Sequence, residues 1–193
     1  TWDPWQVSAS GAWTGARVPS GATSRPWFGG ASWDAGVSRY WTSHLWTAVR
    51  GGTATSAEAF DFAPVVIPGA TVPAYRATST RYGFSEVTAL VGWRVFDNEW
   101  GHPYVAGGAR LERVSRVETV PLQTLPLDRT SGRTATVGPS TRSLRPLWRL
   151  LPTVDAGVDL YVTERAFVRT GVVVAIDAGL AQVGWRGGVG VDF

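Results

Sequence analysis

The C-terminal end of the chain alternates with period two. Val183, Trp185, Gly187, Val189, Val191 and Phe193 fall on one face, and Gly184, Arg186, Gly188, Gly190 and Asp192 on the other. This is a strand that meets an apolar medium on one side and small or charged groups on the other. The preceding segment repeats it, setting Ala166, Val168, Thr170, Val172, Val174 and Ile176 against Phe167, Arg169, Gly171, Val173, Ala175 and Asp177. Further strands follow upstream. Val154, Ala156, Val158, Leu160 and Val162 oppose Thr153, Asp155, Gly157, Asp159 and Tyr161; Val105, Gly107, Ala109 and Leu111 oppose Tyr104, Ala106, Gly108, Arg110 and Glu112. Val87, Ala89, Val91, Trp93 and Val95 oppose Glu86, Thr88, Leu90, Gly92, Arg94 and Phe96, and Trp5, Val7, Ala9, Gly11 and Trp13 oppose Gln6, Ser8, Ser10, Ala12 and Thr14. Residues 27–41 continue the pattern less cleanly. Residues 45–55 complete it, although Trp46 then falls on the polar face.

The count is eight, with residues 74–83 read as part of a long connection that forms a protruding hairpin. The connections run 15–26 (long), 42–44 (short), 56–82 (long), 98–102 (short), 116–149 (long), 163–165 (short) and 178–182 (modest). Such alternation belongs to a barrel with tight turns at one end and larger loops at the other. With both termini at the short-turn end the strand number must be even, which favours eight over nine.

Three features favour a membrane barrel over a soluble one. The inward face is rich in glycine, alanine and charges of both signs, which suits a narrow lumen filled by side chains. Tryptophans gather toward strand ends, with Trp2, Trp5, Trp41 and Trp100 near the short turns and Trp13, Trp27, Trp148 and Trp185 near the long loops, the placement that two membrane interfaces select. Strands of 9 to 11 residues match a tilted bilayer crossing.

Composition narrows the chemistry. The 193 residues suit a single domain, 1–193. Cysteine is absent, which excludes disulfides and thiol chemistry, and with only His44 and His102 a histidine-rich metal site is excluded too. No cofactor or metal is expected. The net charge of +3 is mild and its arginines are scattered, so nucleic acid is not an expected partner. No apolar run approaches the length of a spanning helix, and no leader pattern opens the chain, so any secretory signal is expected to have been removed.

On these residues the chain resembles the small bacterial outer-membrane β-barrels of the OmpA/OmpX type, over essentially its whole length and as an architecture. The most specific element is residues 183–193, where Val189 and Val191 alternate before a terminal Phe193; in the family such an ending resembles the signal read by the outer-membrane assembly machinery. The resemblance implies an all-β, eight-stranded antiparallel up-and-down transmembrane barrel in the bacterial outer membrane, both termini on the periplasmic side, in contact with outer-membrane lipids and lipopolysaccharide and, during biogenesis, with the assembly machinery.

The candidate sites follow from the faces. Arg50, Glu86, Arg94, Arg110, Glu112, Asp155, Asp159, Arg169, Asp177 and Arg186, with Asp34, are assigned to a lumen charge network, because charges confined to a low-dielectric tube must pair. Trp5, Trp13, Trp27, Trp41, Trp100 and Trp185 are assigned to the interface girdle. Residues 116–149 hold six arginines against two carboxylates; Arg129, Arg133, Arg142, Arg145 and Arg149 are the candidate contacts to lipopolysaccharide phosphates, which arginine's planar fork suits. Residues 56–82 and 116–149 are the candidate surfaces for a protein partner, the former carrying Val65, Val66 and Ile67.

The expected function is a structural or interaction role through the extracellular loops of a barrel with a plugged lumen. The alternative is a narrow pore for small solutes or ions. A lipid A-modifying enzyme would need a histidine beside a serine or carboxylate near the outer leaflet. His44, beside Ser43, and His102, before Pro103, fall instead in short turns at the end expected to face the periplasm, so no enzyme is expected. A soluble lipocalin-like binding barrel, suggested by Gly11-Ala12-Trp13, would remain dissolved without detergent.

Overall fold

A computed structural model describes residues 4–17, 27–96, 100–128, 130–177 and 180–193. Eight long strands form a closed antiparallel barrel: β1 (Trp5–Arg17), β2 (Trp27–Tyr40), β3 (Leu45–Val65), β4 (Ala74–Arg94), β5 (Gly101–Val120), β8 (Ser140–Tyr161), β9 (Ala166–Asp177) and β10 (Leu180–Asp192). Each pairs with its neighbours in sequence, and β1 closes the barrel on β10, from Gln6 opposite Asp192 to Thr14 opposite Gly184. The remaining two strands, β6 (Gln123–Pro126) and β7 (Thr134–Val137), form a small hairpin inserted between β5 and β8.

Two of the short turns share one local solution. Trp41 and Thr42 donate their backbone N–H to the carbonyl of Leu45, while the Thr42 hydroxyl accepts from the amides of His44 and Leu45. Val162, Thr163, Arg165 and Ala166 repeat it. A threonine at the second position satisfies amides that the ladder leaves free, and the two tight connections at residues 42–44 and 163–165 follow from it.

The faces separate as the alternation requires. Trp5, Val7, Trp13, Val37, Val49, Val87, Val91, Trp93, Val105, Leu150, Val154, Trp185, Val189 and Val191 are exposed on the outside, each 40% or more accessible, while the alternate residues Gln6, Ser8, Ala12, Ser38, Ala48, Thr88, Leu90, Tyr104, Ala106, Leu151, Asp155 and Arg186 are buried inside. Trp46 is the informative exception to a polar interior. It is 2% exposed and lies inside, where Gly92 on β4 makes room: a Cβ on that glycine would sit 2.1 Å from the indole ring. Phe167 is seated over Gly190 in the same way.

The strands are not of equal length, and here the expected loops are corrected. β1, β2, β9 and β10 have 12 to 14 residues, whereas β3, β4, β5 and β8 have 20 to 22. Residues 56–82 and 116–149, expected as connections, are largely continuations of barrel strands. Residues 74–83 are the upper part of β4. At about 3.3 Å per residue and a barrel tilt near 40°, the extra eight to ten residues raise one side of the barrel by roughly 20–25 Å. Register shifts mark the height at which this wall leaves the closed barrel, between Ala54 and Ala57 on β3 and between Val114 and Arg116 on β5. Bulges are common at such rims because the extra residue bends the strand. On the other side, β8 pairs with β9 only from Thr153 onward. The preceding residue is Pro152, which supplies no N–H to a ladder.

Candidate functional site: the lumen and the extended wall

The interior is filled in layers. Near the short turns, Tyr40, Trp46, Ala48, Leu90, Tyr104 and Ala106 form a buried cluster, with the Trp46 and Tyr104 rings edge-on at 5.9 Å. Two guanidiniums lie against this layer. Arg94 donates to the Tyr40 hydroxyl at 2.9 Å, and Arg169 sits 4.9 Å from the Tyr104 ring and 5.3 Å from Phe167, close enough for the ring quadrupole to attract the cation.

Above it, charges cross the lumen. Arg50 on β3 and Arg186 on β10 both bind Asp155 Oδ2 on β8, at 2.5 and 2.6 Å, and Arg186 reaches Asp34 on β2 at 3.2 Å. Ser10 donates to the same Asp34, and Tyr104 donates to the other oxygen of Asp155. A bidentate pair joins Arg169 to Asp159 at 2.6 and 2.7 Å, and Arg169 also donates to Gln6 Oε1, whose amide donates on to Asp192. Tyr161 donates to Asp192 as well. Every carboxylate in this middle layer carries at least two donors. That satisfaction is what allows charges to persist in a medium where removing one partner leaves a costly unpaired ion.

A third layer lies near the rim. Arg110 pairs with Glu86 at 3.3 Å, and Arg149 pairs with Glu112 and, at 2.7 Å, with Asp177. Tyr82, Phe84 and Val114, packed against Leu147, form a second buried cluster above it.

All ten residues assigned to the lumen from the sequence point inward, and Asp34 joins them. Arg149, taken as a lipopolysaccharide contact, is corrected: it faces the lumen. The alternation that identifies Thr153 and Asp155 as inward continues back through Leu151 to Arg149, and drawing the long connection as far as residue 149 hid that continuation. Also missed were the hydroxyl and amide partners Ser10, Tyr40, Tyr104, Tyr161 and Gln6, which share the inward parity but carry no charge to draw notice.

Of the girdle residues, Trp5, Trp13, Trp41, Trp100 and Trp185 are exposed on the outside, at 40–66%. The side chain of Trp27 lies outside the described residues. Arg39, opposite Trp5 in the ladder, stands 5.3 Å from the Trp5 ring and 4.3 Å from the Trp41 ring. Trp33, Trp93 and Trp148 are exposed too. Val189, Val191 and Phe193 face outward at 48–60% exposure. Both histidines sit at the short-turn end: His44 stacks on Trp93 with its Nδ1 3.1 Å from the Arg94 carbonyl oxygen, and the His102 ring is 4.7 Å from that of Tyr161. Among the described residues, no group of three histidines or carboxylates is placed to hold a metal ion.

The extended wall is the second distinctive region. Phe60, Phe62, Val66 and Tyr75 are 56–96% exposed on it, and Arg81, Arg113, Arg133, Arg142 and Arg145 are exposed as well. Arg129 lies outside the described residues. The β6–β7 hairpin is docked rather than loose. The Gln123 amide group both accepts from the Ala77 N–H and donates to the Ala77 carbonyl, extending the ladder edge of β4 beyond the end of β5, and the Thr71 amide donates to the Leu127 carbonyl. Leu125 is buried there. In the hairpin turn, the Ser131 hydroxyl and the backbone amides of Thr130 and Ser131 hold the Asp128 carboxyl below the usual carboxylate range.

No family model matches the chain, and no curated protein matches it in sequence. Solved structures match its fold. The N-terminal β-barrel domain of Pseudomonas aeruginosa OprF superposes with a TM-score of 0.56 at 12% identity, over 99% of this chain and 98% of that one. Neisserial surface protein A gives 0.57 at 16% identity, over 98% and 97%. Ail, the attachment invasion locus protein of Yersinia pestis, solved in complex with the heparin analogue sucrose octasulfate, gives 0.53 at 12% identity over all of both chains. At such identities the likeness is one of fold. The chain is an eight-stranded antiparallel barrel of the kind built by small outer-membrane proteins.

Proposed function

We propose that the chain is a bacterial outer-membrane protein with both termini on the periplasmic side, a lumen closed by its own side chains, and an interaction role exerted through the extended extracellular wall. The observation that carries this is the chain of ion pairs from Arg50 through Asp155 and Arg186 to Asp34, which crosses the lumen between strands β3, β8, β10 and β2. A solute path would have to break it. The wall supports the second half of the reading: exposed arginines and aromatics are raised above the apolar belt, where lipopolysaccharide or a protein partner would meet them. Arg133, Arg142 and Arg145 remain the loop-side candidates for lipopolysaccharide phosphates. The polyanion bound to Ail makes sucrose octasulfate a suitable probe of this wall.

No catalytic role is proposed. Both histidines sit at the end opposite the outer leaflet in this orientation.

Purified protein in planar bilayers tests the closed lumen. The expected result is no steady unitary current, and reproducible single-channel steps would overturn it. The rival reading, a narrow pore, is favoured by one observation. Arg50 Nε and Nη2, Arg169 Nη1, Arg186 Nε and Gln182 Nε2 are buried donors without a protein partner, and water threading the lumen would satisfy them.

A further inference from the structure

We propose that the outward face of the wall carries a phosphate-binding cradle for outer-leaflet lipid headgroups, built by Arg81, Arg113 and Arg145 around Gly83 and Ser115. The ladder sets these groups together. Gly83 on β4 lies directly opposite Ser115 on β5; two residues along, Arg113 lies opposite Ser85, and two residues the other way Arg81 lies opposite Val117. Arg145 occupies the bulge where β8 passes Ser115. All three arginines are exposed, as are Ser85 and Ser115.

Gly83 is what makes this a cradle. A Cβ there would lie 2.7 Å from Ser115 Oγ, so any larger residue would fill the space between Arg81 and Arg113. The Ser115 hydroxyl donates to the Gly83 carbonyl at 3.1 Å, which ties the two strands together at the floor and leaves the guanidiniums as the donors to phosphate. None of the three guanidiniums forms an ion pair with a described carboxylate. The nearest competitor by register is Glu58, opposite Arg81 on the side away from the cradle.

Height selects the ligand. Arg113 is paired in the ladder with Trp148, which is 62% exposed, and the next outward residues below are Leu111, Val87 and Leu150. The cradle therefore begins at the aromatic ring that ends the apolar belt, the level of lipid headgroups. Arginine forks bind phosphate oxygens in pairs, so three placed around one glycine floor suit a phosphate monoester on a glycolipid better than a soluble anion met farther out. The proposal rests on the outer-membrane reading above, and joins Arg81 and Arg113 to Arg145 as the contact at headgroup level.

The test titrates the folded protein in detergent micelles with bis-phosphorylated lipid A, with its dephosphorylated form, and with inorganic phosphate, reading affinity by calorimetry. The phosphorylated lipid is expected to bind at least tenfold more tightly than the dephosphorylated one, with affinity falling as salt is raised. Arg113→Gln combined with Arg145→Gln should lose about tenfold, and Gly83→Val, which keeps every charge, should lose a similar factor; far-UV spectra check that both variants fold. Arg165→Gln, in the short turn at the opposite end of the barrel, should change little. Equal affinity for the two lipids, or an unaffected double variant, would overturn the cradle. Inorganic phosphate binding as tightly as lipid A would overturn its assignment to lipid. Failure of the wild-type chain to insert into lipid vesicles would instead defeat the outer-membrane reading, so the two failures are separable.

Discussion

The lower and upper halves of β4 show what a change of surroundings does to one continuous strand. Below the rim, Val87, Ala89, Val91 and Trp93 face out while Thr88, Leu90 and Arg94 are buried inside. Above it, Ser85, Arg81, Ser79 and Tyr75 occupy the outward positions, and Tyr82, Thr78 and Arg76 the inward ones. The backbone ladder is unbroken through both. Hydrogen bonding keeps the strand a strand; the medium on its outer face decides whether the residues there are valine or arginine. The closed half holds its charges in buried pairs, and the wall leaves Arg81, Arg113 and Arg145 exposed.

That contrast can be broken from the interior first. Asp155→Ala leaves Arg50 and Arg186 without the carboxylate they share, and breaking such a buried pair costs about 3–5 kcal/mol; urea unfolding of the protein in lipid vesicles should show it as a lower midpoint. An unchanged midpoint would mean that water already carries that layer. Gly92→Val comes next. Its side chain would meet the Trp46 indole, an overpacking that costs about 1–3 kcal/mol, and combining it with Trp46→Ala should recover part of the loss.

Changes in the wall should be smaller and local. Gln123→Ala removes both bonds to the Ala77 backbone, worth about 1 kcal/mol each, and hydrogen exchange should quicken over residues 123–137 with the barrel amides unaffected. Phe60→Ser together with Phe62→Ser should shift global stability by no more than about 0.5 kcal/mol, as for other exposed positions. A loss as large as that of Asp155→Ala would show that the wall is part of the core. The smallest effect concerns pH. Because the folded Asp128 carboxyl titrates below its unfolded value, its contribution is present above the unfolded value and disappears as pH falls through the folded one. Protection of the Thr130 and Ser131 amides, measured against the intrinsic exchange rate at each pH, should fall on acidification, and Asp128→Asn should abolish that change in protection.

The lumen was more legible in the sequence than the wall. A charge at an inward position announces itself, as Arg50, Asp159 and Arg169 do, because the period-two rule fixes its face without reference to any other strand. Trp46 could be placed on the inward face but not explained there. Its room comes from Gly92, which lies opposite it only once β3 and β4 are in register. The wall was misread as loops because its outward residues are polar, and polar alternation resembles connection. The bulges at residues 54–57 and 144–147 also shift the parity by which the upper strands would have been traced.

Strand number, the closed barrel, the direction of each lumen charge and the apolar belt were determined by the order of residues along the chain, since each depends on a period local to one strand. Which arginine meets which carboxylate, that Gly92 makes room for Trp46, and that one side of the barrel stands above the other were decided by tertiary structure alone. These depend on register between strands, and register is a property of pairs of segments that no single segment contains.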